Sequence, residues 1–316
     1  MLFSITKKIV LGSIYIINKL LYNLRYHKRN QIKILTFHDT INKAITESKS
    51  ICRYGDGELN MIINNKLGYD SSRKSGFQSY DPSLGLRLKE ILISAENQSD
   101  CIVCLPGCMF GVGTKYLNRA AGSFWERYSN KNSKHVYDLI STQITYGDTN
   151  FTRFYLSHKD KSNCRENLEN IKLLWRNRNL LIVEGEKTRL GHGNDLFDNA
   201  KTISRILCPA TNAWGKYTDI LNKTIEIANG MEINGEKPLI IIALGMTATI
   251  LAYDLSQKGL QAIDLGHLDI EYEWMLMGAT KKIPIKGKFT NESKDGGIVS
   301  DNVSQIYKSQ IVGRIC

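Results

Sequence analysis

The chain has 316 residues, of which 42% are hydrophobic and 23% are charged; this composition excludes disordered, collagen-like and low-complexity proteins. Lysine and arginine outnumber aspartate and glutamate by 42 to 31, which favours polyanionic partners such as anionic lipid or phosphorylated substrates. Six of the basic residues lie in residues 1–30, which contain no acidic residue. The rest of the chain carries only a small excess, so we predict no nucleic-acid partner.

Residues 1–32 form a basic arm with an amphipathic pattern. Apolar side chains recur at intervals of three and four residues, which places them on one face of a helix; they are Val10, Ile14, Ile17, Leu21 and Leu24. The apolar run Ile9–Tyr22 is interrupted by Asn18 and Lys19 and is shorter than the roughly 20 residues that span a bilayer. The basic flanks predict a peripheral helix on the cytoplasmic face of the cell membrane. Packing on its own domain or on a second subunit, as in a homo-oligomer, is the alternative.

From residue 33 onward, short apolar runs alternate with amphipathic stretches. The predicted strands are Ser50–Tyr54, Cys101–Leu105, Leu180–Glu184, Ser204–Cys208, Leu239–Ala243 and Ala262–Leu265. The predicted helices are Pro82–Ala95, Lys115–Asn130, Glu166–Arg176, Lys216–Asn229, Thr247–Lys258 and Asp269–Gly278. This alternation predicts an α/β fold with a Rossmann-like, open, mostly parallel sheet and helices on both faces. We assign residues 33–280 to one domain and residues 281–316 to a C-terminal tail packed on it.

The segment Arg53-Tyr-Gly-Asp-Gly-Glu58 follows the first buried strand. Ligands of open α/β sheets bind at the carboxyl ends of strands, and a tight turn here would aim Asp56 and Glu58 at one point. Two carboxylates suit Mg²⁺ or Mn²⁺, with water and phosphate oxygens as the other ligands. Arg53 would add positive charge for the same phosphates. A surface turn with a helix-capping Glu58 is the alternative.

A glycine-rich loop follows the strand Leu180–Glu184. Gly193 lets a ligand approach the backbone closely, and Asn194 and Asp195 are candidates for nucleotide or sugar contacts or for a helix cap. The Gly-His-Gly sequence lacks the third glycine of a dinucleotide fingerprint, so an ordinary strand–helix connection is the alternative. Gly245 follows the strand Leu239–Ala243, and we expect it to line the same site.

The segment Asp264–Trp274 holds four carboxylates and one histidine and no lysine or arginine. His267 follows a predicted strand, a usual place for a residue that contacts a ligand. We predict that His267, Asp269 and Glu271 include a general base or a group that binds sugar hydroxyls. The charged first turn of a helix is the alternative.

The seven cysteines suggest no framework of disulfide pairs and favour a reducing, cytoplasmic compartment. Cys101, Cys104 and Cys108 have a spacing that resembles a metal-cluster motif. However, Cys101 and Cys104 are three residues apart on a predicted strand and therefore point to opposite faces. We expect buried, inert thiols.

Four sequence blocks occur in one order: Arg53–Glu58, Val183–Asn199, Arg205–Trp214 and Ala252–Trp274. Together they resemble the bacterial GT-D fold glycosyltransferases, over roughly Thr36–Thr280. Several long blocks in a fixed order are more specific than any single motif above. The N-terminal arm lies outside the resemblance.

The resemblance implies a Rossmann-like domain that uses a nucleotide sugar, with UDP-glucose as the first expectation. It implies that Asp56 and Glu58 serve Mn²⁺ or Mg²⁺ and the donor diphosphate. It also implies transfer of a hexosyl group to a glycan or lipid-linked acceptor in bacterial surface polysaccharide or glycoprotein synthesis. A non-catalytic nucleotide-sugar-binding or membrane scaffold protein and a nucleotide-sugar hydrolase remain the alternatives.

Overall fold

The computed structural model describes residues 13–24, 31–67, 77–97, 99–110, 112–300 and 302–316. Within these ranges, nine strands form one open sheet in the order β1-β4-β3-β2-β8-β7-β5-β6-β9, and every pair of neighbouring strands is parallel. The strands are β1 (Lys33–Ile34), β2 (Ser50–Arg53), β3 (Cys101–Leu105), β4 (Thr145–Asp148), β5 (Asn179–Gly185), β6 (Thr202–Cys208), β7 (Leu239–Ala243), β8 (Ala262–Asp264) and β9 (Ile311–Arg314). The predicted open parallel sheet is confirmed.

The six predicted strands are all present, as β2, β3 and β5 to β8. Each is an apolar run in the interior of the sheet; every residue of β3 and β7, for example, is buried. Strands that are buried on both faces are continuous hydrophobic runs, which is why the sequence reveals them.

The sequence does not predict β1, β4 or β9, because none of them is a continuous apolar run. In β4, Gly147 occupies a position where a Cβ atom would collide with the Cys104 side chain on β3. The sheet therefore requires a residue that weakens the strand pattern. Strand β9 lies at the sheet edge, and its residues alternate between half-buried and exposed.

Nine helices of five or more residues flank the sheet within the described residues after the N-terminal arm. They are α1 (Phe37–Thr46), α2 (Asp56–Leu67), α3 (Pro82–Ile93), α4 (Arg119–Tyr137), α5 (Cys164–Lys172), α6 (Tyr217–Gly230), α7 (Met246–Ser256), α8 (Leu268–Leu276) and α9 (Gln305–Ser309). The six predicted helices correspond to α3 to α8. Helix α4 begins four residues later than predicted because Asn118 caps it, its side-chain oxygen accepting a hydrogen bond from the Ala121 N–H at 3.0 Å.

The sheet separates two apolar cores, as the prediction of helices on both faces requires. Helices α2, α3, α4, α6 and α7 contribute to one core, and α1, α5 and α8 contribute to the other. Cys101 and Cys104 belong to different cores, which confirms that they point to opposite faces. Six cysteines are buried and free, and Cys316 is exposed and free.

The segment after residue 280 does more than cover the surface. It supplies β9, and it sends Lys288 into the protein, where its ammonium lies 2.7 Å from Asp269 and 2.8 Å from Glu273. The Tyr307 hydroxyl donates a hydrogen bond to the buried Glu184 carboxylate at 2.9 Å. The boundary between residues 280 and 281 stays a prediction, but this segment is part of the folded structure.

Residues 13–24 of the basic arm are helical, and the helix is attached to the domain. The Tyr22 hydroxyl is buried and donates a hydrogen bond to the Cys108 carbonyl at 2.6 Å. The Asn130 side chain on α4 donates a hydrogen bond to the Asn18 carbonyl at 2.8 Å. The remainder of the arm, residues 1–12 and 25–30, lies outside the described residues. No helix in the described part of the chain combines the length and the apolar character needed to cross a bilayer.

Candidate active site

A cavity of about 780 Å³ opens beside the carboxyl ends of β2, β7 and β8. The order of strands reverses at β2, because β3 and β4 continue on one side of it and β8 and β7 on the other. Ligands of open α/β sheets bind at such a reversal. The walls of the cavity come from these strand ends, the beginning of α4 and residues 280–292.

Arg53 lies at the end of β2 and lines the cavity, but the protein uses most of its hydrogen-bond donors. Its Nε donates to the Asp264 carbonyl at 2.9 Å, its Nη2 donates to Asp264 Oδ1 at 3.1 Å, and its Nη1 contacts Thr152 Oγ1 at 2.7 Å and the Thr149 carbonyl at 3.4 Å. Gly266 has a φ of +51° and packs against the guanidinium so closely that a Cβ atom would collide with it. Arg53 thus ties β2 to β8, and its predicted contact with a diphosphate stays a prediction.

Asp56 and Glu58 both line the cavity, in the first turn of α2 and not in a turn before it. Residues two apart on a helix do not share a face, so the helix by itself does not aim the two carboxylates at one point, as the sequence predicts for a turn. Glu58 Oε2 accepts a hydrogen bond from the Gly55 N–H at 2.7 Å and thereby caps the helix. Asp56 is exposed to the cavity. The helix N-terminus favours negative charge at both positions.

The two carboxylates at the beginning of α2 have raised pKa values. Burial, with the nearby Asp264 carboxylate, raises the pKa of Glu58 to about 7. Desolvation also raises the pKa of Asp56, although its side chain is exposed to the cavity and Arg153 opposes the shift. A raised pKa means that the protein leaves the carboxylate charge incompletely compensated, so this corner of the cavity favours an added cation.

The carboxylates of Asp56 and Glu58 suit a cation that takes its other ligands from water and a bound substrate. Among the described residues, no three His, Cys, Asp or Glu side chains come together as a metal-binding group. Mg²⁺ is usually held by one or two carboxylates, with water and substrate phosphates as the other ligands. Asp56 and Glu58 fit that pattern, and their role as metal ligands stays a prediction.

The glycine-rich loop does not bring its three predicted residues to the cavity wall. Asn194 donates hydrogen bonds to Asp269 at 2.8 Å and to Glu273 at 2.7 Å, and Asp195 accepts one from Tyr272, so both support α8. Gly193 has a φ of +83° and open space around it. From this loop, the residues that line the cavity are Thr188 and Leu190. The nucleotide or sugar contacts of Gly193, Asn194 and Asp195 stay predictions.

Gly245 lines the cavity at the end of β7, as expected from its position after a strand. Its φ is +56°, and its Cα lies against the Phe77 side chain, since a Cβ atom would be 3.2 Å from Phe77 Cβ. A side chain at this position would be strained by the backbone conformation and would crowd the cavity.

Asp269 and Glu271 line the cavity and are buried, and protein groups engage both. The Lys288 ammonium donates to both oxygens of Asp269, at 2.9 and 2.7 Å. Glu271 Oε2 accepts hydrogen bonds from the backbone N–H groups of Leu156 at 2.7 Å and Tyr155 at 3.2 Å. Burial raises the pKa of Glu271. Neither carboxylate is an unengaged base in this arrangement.

His267 also lines the cavity, and both of its ring nitrogens have partners. Nδ1 lies 3.2 Å from Arg153 Nη2, and Nε2 lies 3.0 Å from Asn291 Oδ1. Arginine can only donate, so we assign Nδ1 as the acceptor and place the proton on Nε2. Burial and Arg153 lower the pKa of His267 to about 4. The imidazole is therefore neutral at physiological pH.

Sequence reasoning missed Arg153 and Glu292, which form an ion pair in the cavity wall. Arg153 also contacts Glu271, with 3.6 Å between Nη1 and Oε1. Its positive charge, opposed by burial, holds the pKa of Glu292 well below the usual range. Arg153 lies in the polar run that follows β4. If the sequence had revealed β4, this run would have been recognised as the end of a strand, where ligand-binding residues are expected. Glu292 carried no such signal, because it lies in irregular backbone far along the chain.

Aromatic side chains form another part of the cavity wall. They are Phe77, Tyr116, Phe124, Trp125 and Phe289. Phe77 and Phe289 pack edge to face, with ring centroids 5.0 Å apart. Flat apolar surfaces of this kind suit the faces of a nucleobase or a sugar ring. The residues are scattered in sequence, so only the fold brings them together.

Comparisons with known proteins agree with this architecture. Residues 51–293 match the family described as glycosyltransferase GT-D fold. The chain is 36% identical over 284 residues to Glycosyltransferase GlyD of Streptococcus pneumoniae and 34% identical over 290 residues to the probable glycosyl transferase Gly of Streptococcus gordonii. These matches cover 90% and 91% of this chain but 33% and 39% of the relatives. The chain therefore spans little more than a third of their length.

Solved structures are similar over nearly the whole chain. One, described as the domain of unknown function 1792 with a distinct glycosyltransferase fold, is 36% identical with a TM-score of 0.81 and covers 93% of this chain and all of its own. Another, a glycosyltransferase with the same domain from Streptococcus sanguinis, is 34% identical with a TM-score of 0.77 and covers 90% of this chain and all of its own. With the family match over more than half of the chain, these similarities show that the chain belongs to the GT-D fold glycosyltransferase family.

Proposed function

We propose that this protein is a metal-dependent glycosyltransferase that moves a hexosyl group, with glucose as the first candidate, from a UDP-sugar to a hydroxyl of a glycan acceptor. The proposed setting is the synthesis of bacterial surface polysaccharide or glycoprotein. The observation that carries the proposal is the cavity at the strand-order reversal, where Asp56 and Glu58 lie at the N-terminus of α2. A nucleotide diphosphate with a divalent cation matches that charge distribution.

In the proposed donor complex, Asp56 and Glu58 hold the Mn²⁺ or Mg²⁺ ion, which supplies positive charge to the diphosphate as UDP leaves. The N–H groups at the beginning of α2 favour anionic groups nearby. Thr149 also lines the cavity, and its buried hydroxyl has no hydrogen-bond partner among the described residues.

For His267, Asp269 and Glu271, we propose a positioning role: they hold the part of the cavity wall where the acceptor binds. Glu271 and His267 both contact Arg153 and hold its guanidinium at the cavity wall. Proton removal from an acceptor hydroxyl by His267 requires its Nδ1 to exchange the Arg153 contact for the substrate. Their catalytic roles remain a prediction of the sequence.

We place the protein in the cytoplasm, as the cysteine count suggests. The six buried cysteines are free, which supports a compartment where thiols remain reduced. The proposed partners are the nucleotide sugar and a glycan or lipid-linked acceptor.

The test of this function is UDP release from a panel of UDP-sugars, measured with and without Mn²⁺ or Mg²⁺. We expect slow, metal-dependent release with one preferred sugar. Asp56→Asn and Glu58→Gln should each lower the rate by about 100-fold or more. Each removes a carboxylate that would hold the cation, and the cation compensates the charge on the leaving UDP. The matched control is Glu226→Gln, since Glu226 is exposed on α6, forms an ion pair with Lys223 and does not line the cavity.

Metal-independent release, or release unchanged in both variants, would contradict the roles of Asp56 and Glu58. If calorimetry shows that UDP-sugars bind, but no turnover occurs with any glycan or lipid-linked acceptor, the scaffold alternative would be favoured. Release at the same rate with and without any acceptor, with free sugar as the product, would favour the hydrolase.

A further inference from the structure

The helix of residues 13–24 turns its apolar face away from the protein. Six large apolar side chains on it are exposed: Ile14, Ile16, Ile17, Leu20, Leu21 and Leu24. Leu24 is 73% exposed and Ile16 is 58% exposed. At 3.6 residues per turn, these six cover an arc of roughly 160° around the helix axis. We call this arc the apolar face.

The opposite side of the helix makes the contacts with the domain. Tyr22 and Asn18 hydrogen-bond to the Cys108 carbonyl and the Asn130 side chain, and the Tyr15 ring lies 5.2 Å from the Arg119 guanidinium. The helix is thus attached through aromatic and polar groups. Packing on its own domain does not explain the amphipathic pattern, because the contacts with the described part of the domain leave the apolar face exposed. A contiguous exposed patch of this kind marks an interaction surface.

The charge of the arm selects the occupant of the apolar face. Residues 1–30 carry six basic side chains, Lys7, Lys8, Lys19, Arg25, Lys28 and Arg29, and no acidic side chain. A second copy of the chain on this face would bring two such arms together, and their charges would repel. An anionic lipid surface offers hydrocarbon to the apolar face and negative headgroups to the basic residues.

We propose that the apolar face of residues 13–24 is a docking surface for an anionic bilayer, on which the helix lies in the plane of the interface. Helix α4 supports this helix and also lines the cavity through Ala120, Ala121, Phe124 and Trp125. Docking of this helix therefore keeps the cavity near the lipid surface. The exposure and the contacts of this helix do not depend on which donor the cavity binds.

The experiment is vesicle flotation of the full chain. One set of vesicles is pure phosphatidylcholine, and the other contains about 30 mol% phosphatidylglycerol, a composition with a negative surface potential. We expect the partition coefficient to be at least about 100-fold higher on the anionic vesicles, because each basic residue near the surface contributes about fivefold. We expect 0.5 M salt, roughly, to remove most of that difference by screening.

The test variant is Ile17→Glu/Leu20→Glu/Leu24→Glu, which places three charges on the apolar face and leaves the contacts of Tyr15, Asn18 and Tyr22 intact. The matched control is Ile298→Glu/Ile306→Glu/Val312→Glu, which introduces the same charge at three exposed apolar positions in the C-terminal segment. We expect the partition coefficient of the test variant on anionic vesicles to fall by about 100-fold or more. We expect that of the control variant, which loses the same net charge, to stay within about threefold of the native value.

Three results would overturn the proposal. The first is no flotation on anionic vesicles, and the second is equal loss of binding in the test and control variants. The third is a concentration-dependent dimer, seen by analytical ultracentrifugation, that the test variant abolishes; that result would assign the apolar face to a second copy of the chain. UDP release is measured in the same variants, so that a defect in the donor site is distinguished from a defect in docking.

Discussion

Arg153 connects three ionisable side chains in the cavity wall. It lies between Glu271, Glu292 and His267, with contacts to each. The two carboxylates compensate its charge, and its charge together with burial keeps the histidine neutral. A general acid or base needs a pKa near the working pH, and His267 in this arrangement is far from that condition. The local geometry therefore favours a positioning role over proton transfer.

The lowered pKa of His267 predicts a pH dependence of stability. The folded-state pKa of about 4 lies below the unfolded value of about 6.5, so the unfolded chain takes up the proton first. The stability contributed by neutral His267 is present above pH 6.5, roughly, and is lost as the pH falls towards 4. We expect the free energy of unfolding of the native chain to fall relative to that of His267→Gln, by up to about 3 kcal/mol across that interval.

Urea unfolding of both proteins at several pH values from about 7 to 4 measures this difference. Groups that titrate in both proteins cancel, so the difference isolates His267. A difference that stays constant with pH would show that the histidine has an ordinary pKa in the folded protein.

At the scale of elements, the C-terminal helix α9 and strand β9 complete a buried polar network. Arg205 and Glu184 form an ion pair on β6 and β5, with 2.6 Å between Nη1 and Oε1, and both are buried. Tyr307 on α9 donates to Glu184, and Gln310 accepts from Arg205 Nε at 2.7 Å. A buried ion pair is tolerated only when its remaining donors and acceptors are satisfied. The last thirteen residues therefore stabilise the centre of this half of the sheet.

We expect a chain that ends at Val303 to lose about 3 kcal/mol or more of its free energy of unfolding, because the ion pair loses its partners and its cover. Tyr307→Phe should cost about 1.5–3 kcal/mol, the value of one hydrogen bond to a charged group. The matched control is Val312→Thr, an exposed change on β9 that should stay within about 0.5 kcal/mol. Urea unfolding measures all three, and a truncated chain as stable as the control would rule out this role.

The elements also differ in how far the sequence reveals them. Buried strands such as β7 are continuous apolar runs and are predictable from one sequence. Strand β9 is not, because an edge strand needs only half of its side chains to be apolar. Strand β4 is not, because its Gly147 is required by the neighbouring Cys104 and not by any local preference.

At the scale of the whole molecule, the cavity exists because distant segments end at the same edge of the sheet. Strands β2, β8 and β7 lie side by side in the sheet, although 185 residues lie between β2 and β7 and 208 lie between β2 and β8 in the sequence. A ligand in this cavity contacts several segments at once, so binding should stabilise the fold as a unit.

We therefore expect UDP with Mn²⁺, at about 100 times its dissociation constant, to raise the free energy of unfolding by about 2.7 kcal/mol. This corresponds to a rise of roughly 5 °C in Tm, which differential scanning fluorimetry measures. Uridine with Mn²⁺ is the control ligand, and Glu226→Gln is the control variant. Asp56→Asn should abolish most of the rise, and a full rise in that variant would mean that the diphosphate binds without its carboxylate.

The sequence by itself determined the fold class, the six interior strands and the family, because buried parallel strands and long ordered blocks are local features of the chain. It also pointed to Asp56, Glu58, Gly245, His267, Asp269 and Glu271, all of which line the cavity. Only the tertiary structure decided their partners: Lys288 neutralises Asp269, Arg153 engages His267 and Glu271, and Glu58 caps α2. It also decided that the apolar face of the N-terminal helix points away from the protein. The ion pairs, the burial and the exposure of these side chains depend on contacts between residues that are far apart in the chain. A single sequence does not reveal which distant residues come into contact.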